Sequence, residues 1–372
     1  MSSRLAKGLR LLSQIVLLVL LVAGALPLLD VDIWWVRSLE FPRLQFMVAA
    51  ILAAVAVAVF TRRSTFLWLA VAAAAIGLQL ERILPYSPLY PSGMPDIEHC
   101  EAEREISVIV ANVLQDNRDY RRTLNELNAV GADVILALET DQAWQEALAP
   151  LRADLPYGSA VPLDNTYGMI LYSRFPLVSE TVRYVVEPDI PSILAEFSLP
   201  EGRTVRFVGL HPRPPLPGKD TGTRDAEIVL AAGDVTASPH PTIVAGDMNN
   251  VPWSETSELF ASLAKVKETR EGRGNYPTFF PGVPGLSWPL DSIYATNNFE
   301  LLAIETLDRH GSDHEPLYAA LCLTDPDPPY EEQDARDPAL NEEAIEEVQE
   351  GLEQQAEEVA EGEDETMTPE AD

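Results

Sequence analysis

The sequence predicts an α/β domain carried on three membrane-spanning helices. Three long apolar stretches lie within residues 1–84 of the 372-residue chain. From residue 105 onward, short apolar runs alternate with segments of helical spacing, which is the pattern of sheets flanked by helices. Residues 325–372 carry 20 acidic residues and one basic residue. We therefore divide the chain into a membrane anchor (1–84), a linker (85–98), a soluble domain (99–324) and an acidic tail (325–372).

The predicted membrane spans cover residues 11–29, 44–60 and 66–80. The first has full spanning length, and the other two fall short of the roughly 20 residues that a bilayer requires. Their nearly uninterrupted Ala, Val, Leu and Ile leave no polar face, which argues against a helical hairpin buried in a soluble protein. An alternative is that the first stretch is a signal peptide with its cleavage site at Ala23-Gly24-Ala25.

Basic residues predict the orientation of these spans. Arg4, Lys7 and Arg10 precede the first stretch, and Arg62 and Arg63 lie between the second and third. Because cytoplasmic loops are enriched in Lys and Arg, we expect these segments in the cytoplasm. The soluble domain is then expected on the extracytoplasmic, or periplasmic, face of the inner (plasma) membrane. Cleavage of the first stretch would not change this orientation.

Residues 85–95 (PYSPLYPSGMP) are Pro-rich and predict a short, stiff tether that holds the next domain close to the bilayer. The helices predicted by apolar spacing in that domain cover residues 120–130, 141–151 and 224–235. The predicted strands cover residues 106–113, 134–138, 169–172, 193–197, 205–210, 242–245, 292–295 and 317–322.

The acidic tail lacks Phe and Trp. A segment of this composition buries too little apolar surface to order itself, so we expect a solvated, disordered tail. A weak apolar stripe, formed by Ile345, Val348, Leu352 and Val359, allows a transient helix.

The charge distribution bears on the partners. The net charge is −32, and residues 96–324 alone carry −17. Binding to a nucleic acid backbone usually draws on a cluster of Lys and Arg, which this domain lacks. We therefore expect a bilayer and a phosphorylated substrate as partners, with nucleic acid disfavoured, and the sequence indicates no obligate protein partner. Cys100 and Cys322 flank the soluble domain and are either unrelated buried thiols or a disulfide, which an exported domain permits.

Two motifs follow or precede predicted strands. Gly246-Asp247-Met248-Asn249 comes directly after the strand at 242–245, a position where sites are often built. Ser312-Asp313-His314 stands just before the last strand. Taken alone, the first is also compatible with a tight Asx turn and the second with a surface turn.

Four further polar residues stand at predicted strand ends. They are Asn112, Glu139, His211 and Asp291. Each alone has an ordinary interpretation as an edge, turn or helix-start residue. An acid such as Glu139 at the end of an apolar strand is costly unless it is solvated, paired or bound to metal. Together, these residues provide carboxylates and amide oxygens suited to Mg²⁺ or Mn²⁺, and histidines suited to acid–base chemistry.

At this point the sequence resembles the endonuclease/exonuclease/phosphatase family, which includes DNase I-like nucleases, neutral sphingomyelinases and inositol polyphosphate 5-phosphatases. The resemblance covers about residues 105–323. The matching segments are VIVANV, DVILALE, GMILYSRFPL, FVGLHP, IVAGDMN, LDSIYA and SDHEPL, which contain all the residues singled out above. A weaker resemblance is to membrane-anchored bacterial members, some linked to glycopeptide resistance. The family implies a four-layered α/β sandwich and metal-dependent hydrolysis of phosphate esters.

The resemblance also implies a role for each residue. Glu139 would bind the metal, with Asn112 and Asp313 close to it. Asp247 would orient or deprotonate the attacking water, and Asn249 would hold the phosphate. His314, with Asp291 as its carboxylate partner, would stabilise the phosphoryl oxygens, and His211 would protonate the leaving oxygen. A carboxylate beside His314 is expected to raise its pKa and keep it cationic.

The sequence departs from the family in two places. Met248 replaces the usual aromatic residue, and His211 is followed by the stiff run Pro212-Arg213-Pro214-Pro215, which should reshape the wall of the pocket. The expected activity is hydrolysis of a phosphate ester or pyrophosphate in a lipid-linked or small phosphorylated substrate. The alternatives are an extracytoplasmic nuclease of the same fold and an inactive membrane-tethered binding module.

Overall fold

The computed structural model describes residues 3–29, 31–60, 65–282, 285–309, 311–324 and 338–367. The first described elements are α1 (Ser3–Ala25), the four-residue α2 (Trp34–Arg37), α3 (Arg43–Phe60) and α4 (Thr65–Ile83). Helices α1, α3 and α4 pack together through small and branched side chains, among them Leu17, Ala50, Val57 and Ala75. The segments Arg4–Leu28, Arg43–Phe60 and Thr65–Tyr86 are long and apolar enough to cross a membrane.

The third of these segments extends beyond the predicted end at residue 80. Polar residues end the apolar pattern there, but the helix continues because their side chains contact protein. Gln79 Oε1 accepts a hydrogen bond from Arg43, and Arg82 pairs with Glu258 of the soluble domain.

The described part of the soluble domain contains two six-stranded sheets. Sheet A has the order β11-β12-β1-β2-β4-β3, and sheet B has the order β5-β6-β7-β8-β10-β9. The strands are β1 (Glu105–Asn112), β2 (Val134–Leu138), β3 (Tyr157–Val161), β4 (Met169–Ser173), β5 (Leu177–Arg183), β6 (Ser192–Ser198), β7 (Thr204–Leu210), β8 (Thr242–Asp247), β9 (Val266–Glu268), β10 (Asp291–Thr296), β11 (Phe299–Thr306) and β12 (Leu317–Leu323). Neighbouring strands are antiparallel except for the parallel pairs β1–β2 and β7–β8.

The two sheets pack face to face and are covered by helices. Alternate residues of β1 show why: Val108 and Val110 join the core between the sheets, whereas Ile109 and Ala111 face the helix layer. The covering helices are α5 (Tyr120–Val130) and α6 (Gln142–Leu148) on sheet A, and α7 (Gly222–Thr236) and α8 (Glu255–Ala264) on sheet B. The domain is therefore the four-layered α/β sandwich that the family resemblance implied.

All eight predicted strands are present within about two residues of their predicted bounds. The four strands that were not predicted, β3, β5, β9 and β11, are the edge strands of the two sheets. Helix α8 was not predicted either. The helix predicted at 141–151 ends at Leu148 and continues as a 3₁₀ turn over Ala149–Ala153, because Pro150 interrupts the α-helical hydrogen bonding.

The acidic tail differs from its prediction. Helix α9 (Pro338–Met367) packs against α7, so residues 338–367 are not a disordered tail; residues 325–337 and 368–372 lie outside the described part of the chain. Ala344 and Val348 contact the apolar core beneath α7. Glu358 Oε2 lies 2.7 Å from Arg213 and 3.0 Å from Lys219. The weak apolar stripe and these ion pairs stabilise a helix that the composition alone does not predict.

The linker and the disulfide lie near the same end of sheet A, because Leu301 pairs with Leu321 and Glu300 pairs with Cys322. Met94 is buried in the core between the sheets, and Leu301 of β11 donates a backbone hydrogen bond of 2.8 Å to Pro95. The predicted tether therefore lies along the edge of sheet A rather than standing free. Cys100 and Cys322 form a disulfide, so the sharper of the two interpretations of these residues is confirmed.

The soluble domain contacts the anchor at one rim, which we define by the carboxyl ends of β1, β2, β7 and β8 and call the strand-end rim. Three hydrogen bonds join this rim to the N-terminal helical region. Tyr86 donates to Pro252 O at 2.6 Å, and Trp253 Nε1 donates to Glu40 O at 2.8 Å. In the loop after β7, Thr221 N donates to Asp32 O at 2.8 Å. The apolar helical segments and their connections therefore lie against this rim of the domain.

Candidate active site

The strand-end rim gathers the polar residues that the sequence analysis selected. Asn112 ends β1 and Asp247 ends β8, whereas Asp291 begins β10, which runs antiparallel to β8. Asp291 therefore pairs directly with Asp247 in the sheet. Glu139 and His211 each follow a strand that is parallel to its neighbour, so they reach the same rim. His314 arrives from the loop before β12, which is antiparallel to β1.

Asn112 connects the two sheets. Its Nδ2 donates to Glu139 Oε1 at 2.8 Å and to Asp247 Oδ2 at 3.0 Å, while its Oδ1 accepts from Leu114 N at 3.1 Å. Two carboxylates from different sheets are thus held on either side of one buried amide. Glu139 also accepts a hydrogen bond from Gln115 N and has a left-handed backbone with φ of 58°. Such strain in a non-glycine residue is typical of functional sites.

His314 lies between two carboxylates. Its Nδ1 is 2.7 Å from Asp291 Oδ2, and its Nε2 is 3.6 Å from Asp247 Oδ2. Burial alone would lower the pKa of His314, but the charges of Asp291 and Asp247 outweigh it and raise that pKa to about 10. The imidazole is therefore cationic at neutral pH, as the sequence analysis expected.

His211 and Asn249 lie on the other side of Asp247. His211 Nε2 is 3.9 Å from Asp247 Oδ2, and its ring packs against Tyr167 with 5.5 Å between the ring centres. Asn249 N donates to Asp247 Oδ1 at 2.9 Å, and Asn249 Nδ2 donates to Pro212 O at 2.9 Å. The predicted Asn249 is therefore adjacent to the carboxylate, and its amide fixes the loop that follows His211.

Asp313 lies at the border of this group. Its backbone carbonyl accepts a hydrogen bond from Phe280 N at 2.8 Å, and its carboxylate lies 3.4 Å from Ser312 Oγ. All eight selected residues are therefore brought to one rim. Their individual roles, including metal binding by Asn112 and Asp313, stay predictions.

Three supporting residues were assigned no role from the sequence. Ser312 Oγ donates to Asn112 O at 2.8 Å and accepts from His314 N at 3.0 Å, which ties β1 to the histidine. Arg224 of α7 donates to Asn249 O at 3.2 Å. The Phe279 ring lies 4.9 Å from the His314 ring. Ser312 belongs to the motif Ser312-Asp313-His314, whereas Arg224 and Phe279 reach the site only through the tertiary fold.

The donor set fits a hard divalent cation. Carboxylate oxygens of Asp247 and Asp291 lie within 4.8 Å of each other beside His314, and Asn112 links Asp247 to Glu139. Asp291 Oδ1 is buried, and no described residue gives it a hydrogen bond. A buried carboxylate oxygen without a donor is costly unless a cation or solvent satisfies it. Carboxylate oxygens are the ligands that Mg²⁺ and Mn²⁺ prefer.

Comparison with known proteins identifies the same family that the sequence resembles. The model of the "Endonuclease/Exonuclease/phosphatase family" matches residues 109–314, and no curated protein matches the chain. Among solved structures, D. rerio TDP2 complexed with single-strand DNA product has a TM-score of 0.51 at 15% identity, covering 58% of this chain and 98% of that one. At this identity the likeness shows a common fold.

Two further solved structures are similar at lower scores. The human Nocturnin catalytic domain with bound sulfate anion has a TM-score of 0.48 at 18% identity, covering 61% of this chain and 96% of that one. The endonuclease/exonuclease/phosphatase from Bacteroides vulgatus has a TM-score of 0.48 at 17% identity, covering 59% of this chain and 99% of that one.

Proposed function

The chain belongs to the endonuclease/exonuclease/phosphatase family, and from this premise we propose that it is a membrane-anchored phosphoesterase acting on a lipid-linked or small phosphorylated substrate outside the cytoplasm. Family membership makes it a phosphoric ester hydrolase that uses a divalent metal. The choice of Mg²⁺ or Mn²⁺, the substrate, the orientation in the membrane and the roles of individual residues are the proposal.

One observation carries the catalytic part of this proposal. Asp247 Oδ2 is within 3.0 Å of Asn112 Nδ2, 3.6 Å of His314 Nε2 and 3.9 Å of His211 Nε2. A carboxylate surrounded by one amide and two imidazoles is placed to orient water and accept its proton. The cationic His314 is placed to stabilise negative charge on the phosphoryl oxygens.

The remaining residues complete the proposed mechanism. Glu139 would hold the metal, with Asn112 and Asp313 close by, and Asp291 would keep His314 oriented and charged. A bound divalent ion would neutralise charge on the phosphoryl group. His211 would give a proton to the leaving oxygen, and Asn249 would contact the phosphate. Phosphoryl transfer requires an in-line water and neutralisation of the charge on the phosphoryl oxygens. It requires little covalent chemistry by the protein.

The membrane location is supported by the three apolar segments that end or begin beside the soluble domain. The orientation is supported by Arg4, Lys7 and Arg10 in the first turns of α1, and by the disulfide between Cys100 and Cys322, since disulfides persist in oxidising compartments. Arg62 and Arg63 lie outside the described residues. A C-terminal alkaline phosphatase fusion tests the orientation. We expect an active fusion, and an expressed but inactive one would reverse the assignment.

The substrate proposal rests on charge and location. The chain has a net charge of −32, which opposes binding of a long polyanion. The site also lies on the rim that faces the anchor, next to Pro252 and Trp253, whose contacts reach Tyr86 and Glu40. Both features favour a phosphate ester or pyrophosphate presented at the membrane.

A substrate panel tests the function. The full-length protein in detergent micelles, with Mg²⁺ or Mn²⁺, is offered a long-chain lipid phosphate and pyrophosphate, a soluble phosphomonoester and single-stranded DNA. We expect turnover of the phosphate esters, abolished by chelation. Asp247→Asn and His314→Ala should each reduce turnover roughly 10²-fold or more, whereas the exposed control Asp154→Asn should not. Cleavage of DNA alone would favour a nuclease, and no turnover would favour a binding module.

A further inference from the structure

A hairpin at the strand-end rim joins the candidate active site to the membrane anchor. Phe279 and Trp288 exchange backbone hydrogen bonds of 2.8 and 3.1 Å. Ser287 Oγ donates to Phe280 O at 3.1 Å and continues the pairing by one residue. We refer to the described residues 279–282 and 285–288 as the rim hairpin.

The base of the rim hairpin is bonded to the catalytic segment. Phe280 N donates to Asp313 O at 2.8 Å, and Glu315 N donates to Thr278 O at 2.8 Å. These bonds flank His314, whose ring contacts the Phe279 ring at 4.9 Å. The position of Phe280 is thus fixed relative to the histidine that we place at the phosphate.

The other end of the hairpin is bonded to a membrane-spanning helix. Gln45 Nε2 donates to Gly285 O at 2.8 Å, and Gln45 is the third residue of α3. Phe279 and Trp288 also pack into an apolar cluster with Phe41, just before α3, and Ile83, at the end of α4. A loop that reaches the first turn of a spanning helix lies at the depth of the lipid headgroups.

Two large apolar side chains of the hairpin are exposed. Phe280 and Leu286 each expose 45% of their surface. Phe280 also holds a left-handed backbone with φ of 57°, which is costly for a bulky residue. Exposed apolar side chains at the depth of the headgroups gain free energy when lipid covers them.

We propose that the rim hairpin inserts Phe280 and Leu286 into the lipid surface beside the cleft, where they receive the apolar chain of a lipid substrate whose phosphate enters toward His314. The inference rests on the proposed phosphoesterase function and narrows its substrate to a lipid carried in the same leaflet. Lipid is the occupant because the hairpin is continuous with α3 through Gln45. A second protein molecule covering the same side chains is an outcome of the test.

Insertion is measured without relying on activity. The chain has no free cysteine among its described residues, so Leu286→Cys provides a single thiol for an environment-sensitive dye in proteoliposomes. Val178→Cys is the matched control, because Val178 is 60% exposed and lies at the opposite end of sheet B. Lipids with quenching groups in the headgroup region should quench the dye at 286 and not at 178. Equal quenching at both positions, or protection at 286 that depends on protein concentration, would overturn the proposal.

Substrate selection is measured separately. Leu286→Ser, which keeps Phe280 and its bond to Asp313, should lower kcat/KM for a long-chain lipid phosphate in vesicles by about tenfold, since an apolar contact is lost. Turnover of a soluble phosphomonoester by this variant should stay unchanged. The control Val178→Ser should leave turnover of both substrates unchanged. Unchanged lipid turnover in Leu286→Ser would overturn the proposal. Loss of every activity in the wild type would instead contradict the phosphoesterase function, and the quenching result would still stand.

Discussion

His314 Nδ1 lies 2.7 Å from Asp291 Oδ2, in a buried contact between the loop before β12 and the first residue of β10. The contact joins sheet A to sheet B and orients the ring so that Nε2 faces Asp247. Burial alone would lower the pKa of His314, but Asp291, together with Asp247 and Asp313, raises it to about 10. This short contact therefore orients the imidazole and contributes to its positive charge.

Replacing this carboxylate should change the pH dependence of turnover. In Asp291→Asn, His314 loses its stabilising negative charge, so its pKa falls and the cation is lost at lower pH. The alkaline limb of kcat/KM should move down by about one pH unit or more. The measurement is a pH–rate profile at saturating metal, with the exposed Asp308→Asn as control. A profile that coincides with that of the wild type would remove Asp291 from this role.

Glu139 should determine metal affinity. Glu139→Gln removes one carboxylate charge while keeping a side chain that can accept from Asn112, so the site should bind divalent cations more weakly. The Mg²⁺ concentration for half-maximal activity should rise roughly tenfold, a loss of about 1.4 kcal/mol. Titration of activity with Mg²⁺ tests this, and Glu146→Gln, an exposed residue of α6, is the matched control. An unchanged half-saturation would show that Glu139 is not a ligand.

Glu227 should make stability depend on pH. Burial raises the pKa of Glu227 to about 8, although Ser192 Oγ donates a hydrogen bond to it at 3.0 Å. Because the folded state holds the proton more tightly, its contribution to stability is fully present below the ordinary pKa of 4.5 and is lost as pH rises to about 8.

This prediction is checked by thermal unfolding between pH 5 and 9 in detergent. The wild type should lose stability across that window at up to about 1.4 kcal/mol per pH unit. Glu227→Gln should flatten the curve, and the exposed Glu180→Gln should leave it as in the wild type. Parallel curves for the wild type and Glu227→Gln would contradict the assignment.

Gly351 should be required for the docking of α9 on α7. A Cβ at this position would lie 2.3 Å from Gly222 O and 2.4 Å from Ala226 Cβ, so Gly351→Val forces the helices apart. Such overpacking costs about 1–3 kcal/mol. Limited proteolysis should then cut α9 faster than in the wild type. Gly233→Ala is the control, because a Cβ there meets open space. Equal cleavage rates in all three proteins would show that α9 is not held by this contact.

The interior strands were predictable because they are buried on both faces. Such strands, like β2 and β8, read as continuous apolar runs in the sequence. Edge strands do not: β5, for example, has mostly exposed or half-buried residues. Pairing with one neighbour satisfies its backbone without an apolar pattern, so its existence depends on the neighbouring strand.

Helix α9 was also not predictable from its local sequence. Its composition alone indicates disorder, since its acidic residues outnumber the apolar ones that face α7. What orders the helix is a surface contributed by distant residues, including Gly222, Ala226 and Arg213. No local pattern in residues 338–367 reveals that surface.

The sequence by itself determined the anchor, the α/β class and the polar residues at the strand ends, because hydrophobic periodicity and strand-terminal position are local properties. The tertiary structure decided which of those residues meet: Asn112 between Glu139 and Asp247, and His314 between Asp291 and Asp247. It also placed Phe279 and the rim hairpin between the site and α3. These contacts depend on how two sheets and three helices pack. Residues that are far apart in the sequence come into contact only through that packing.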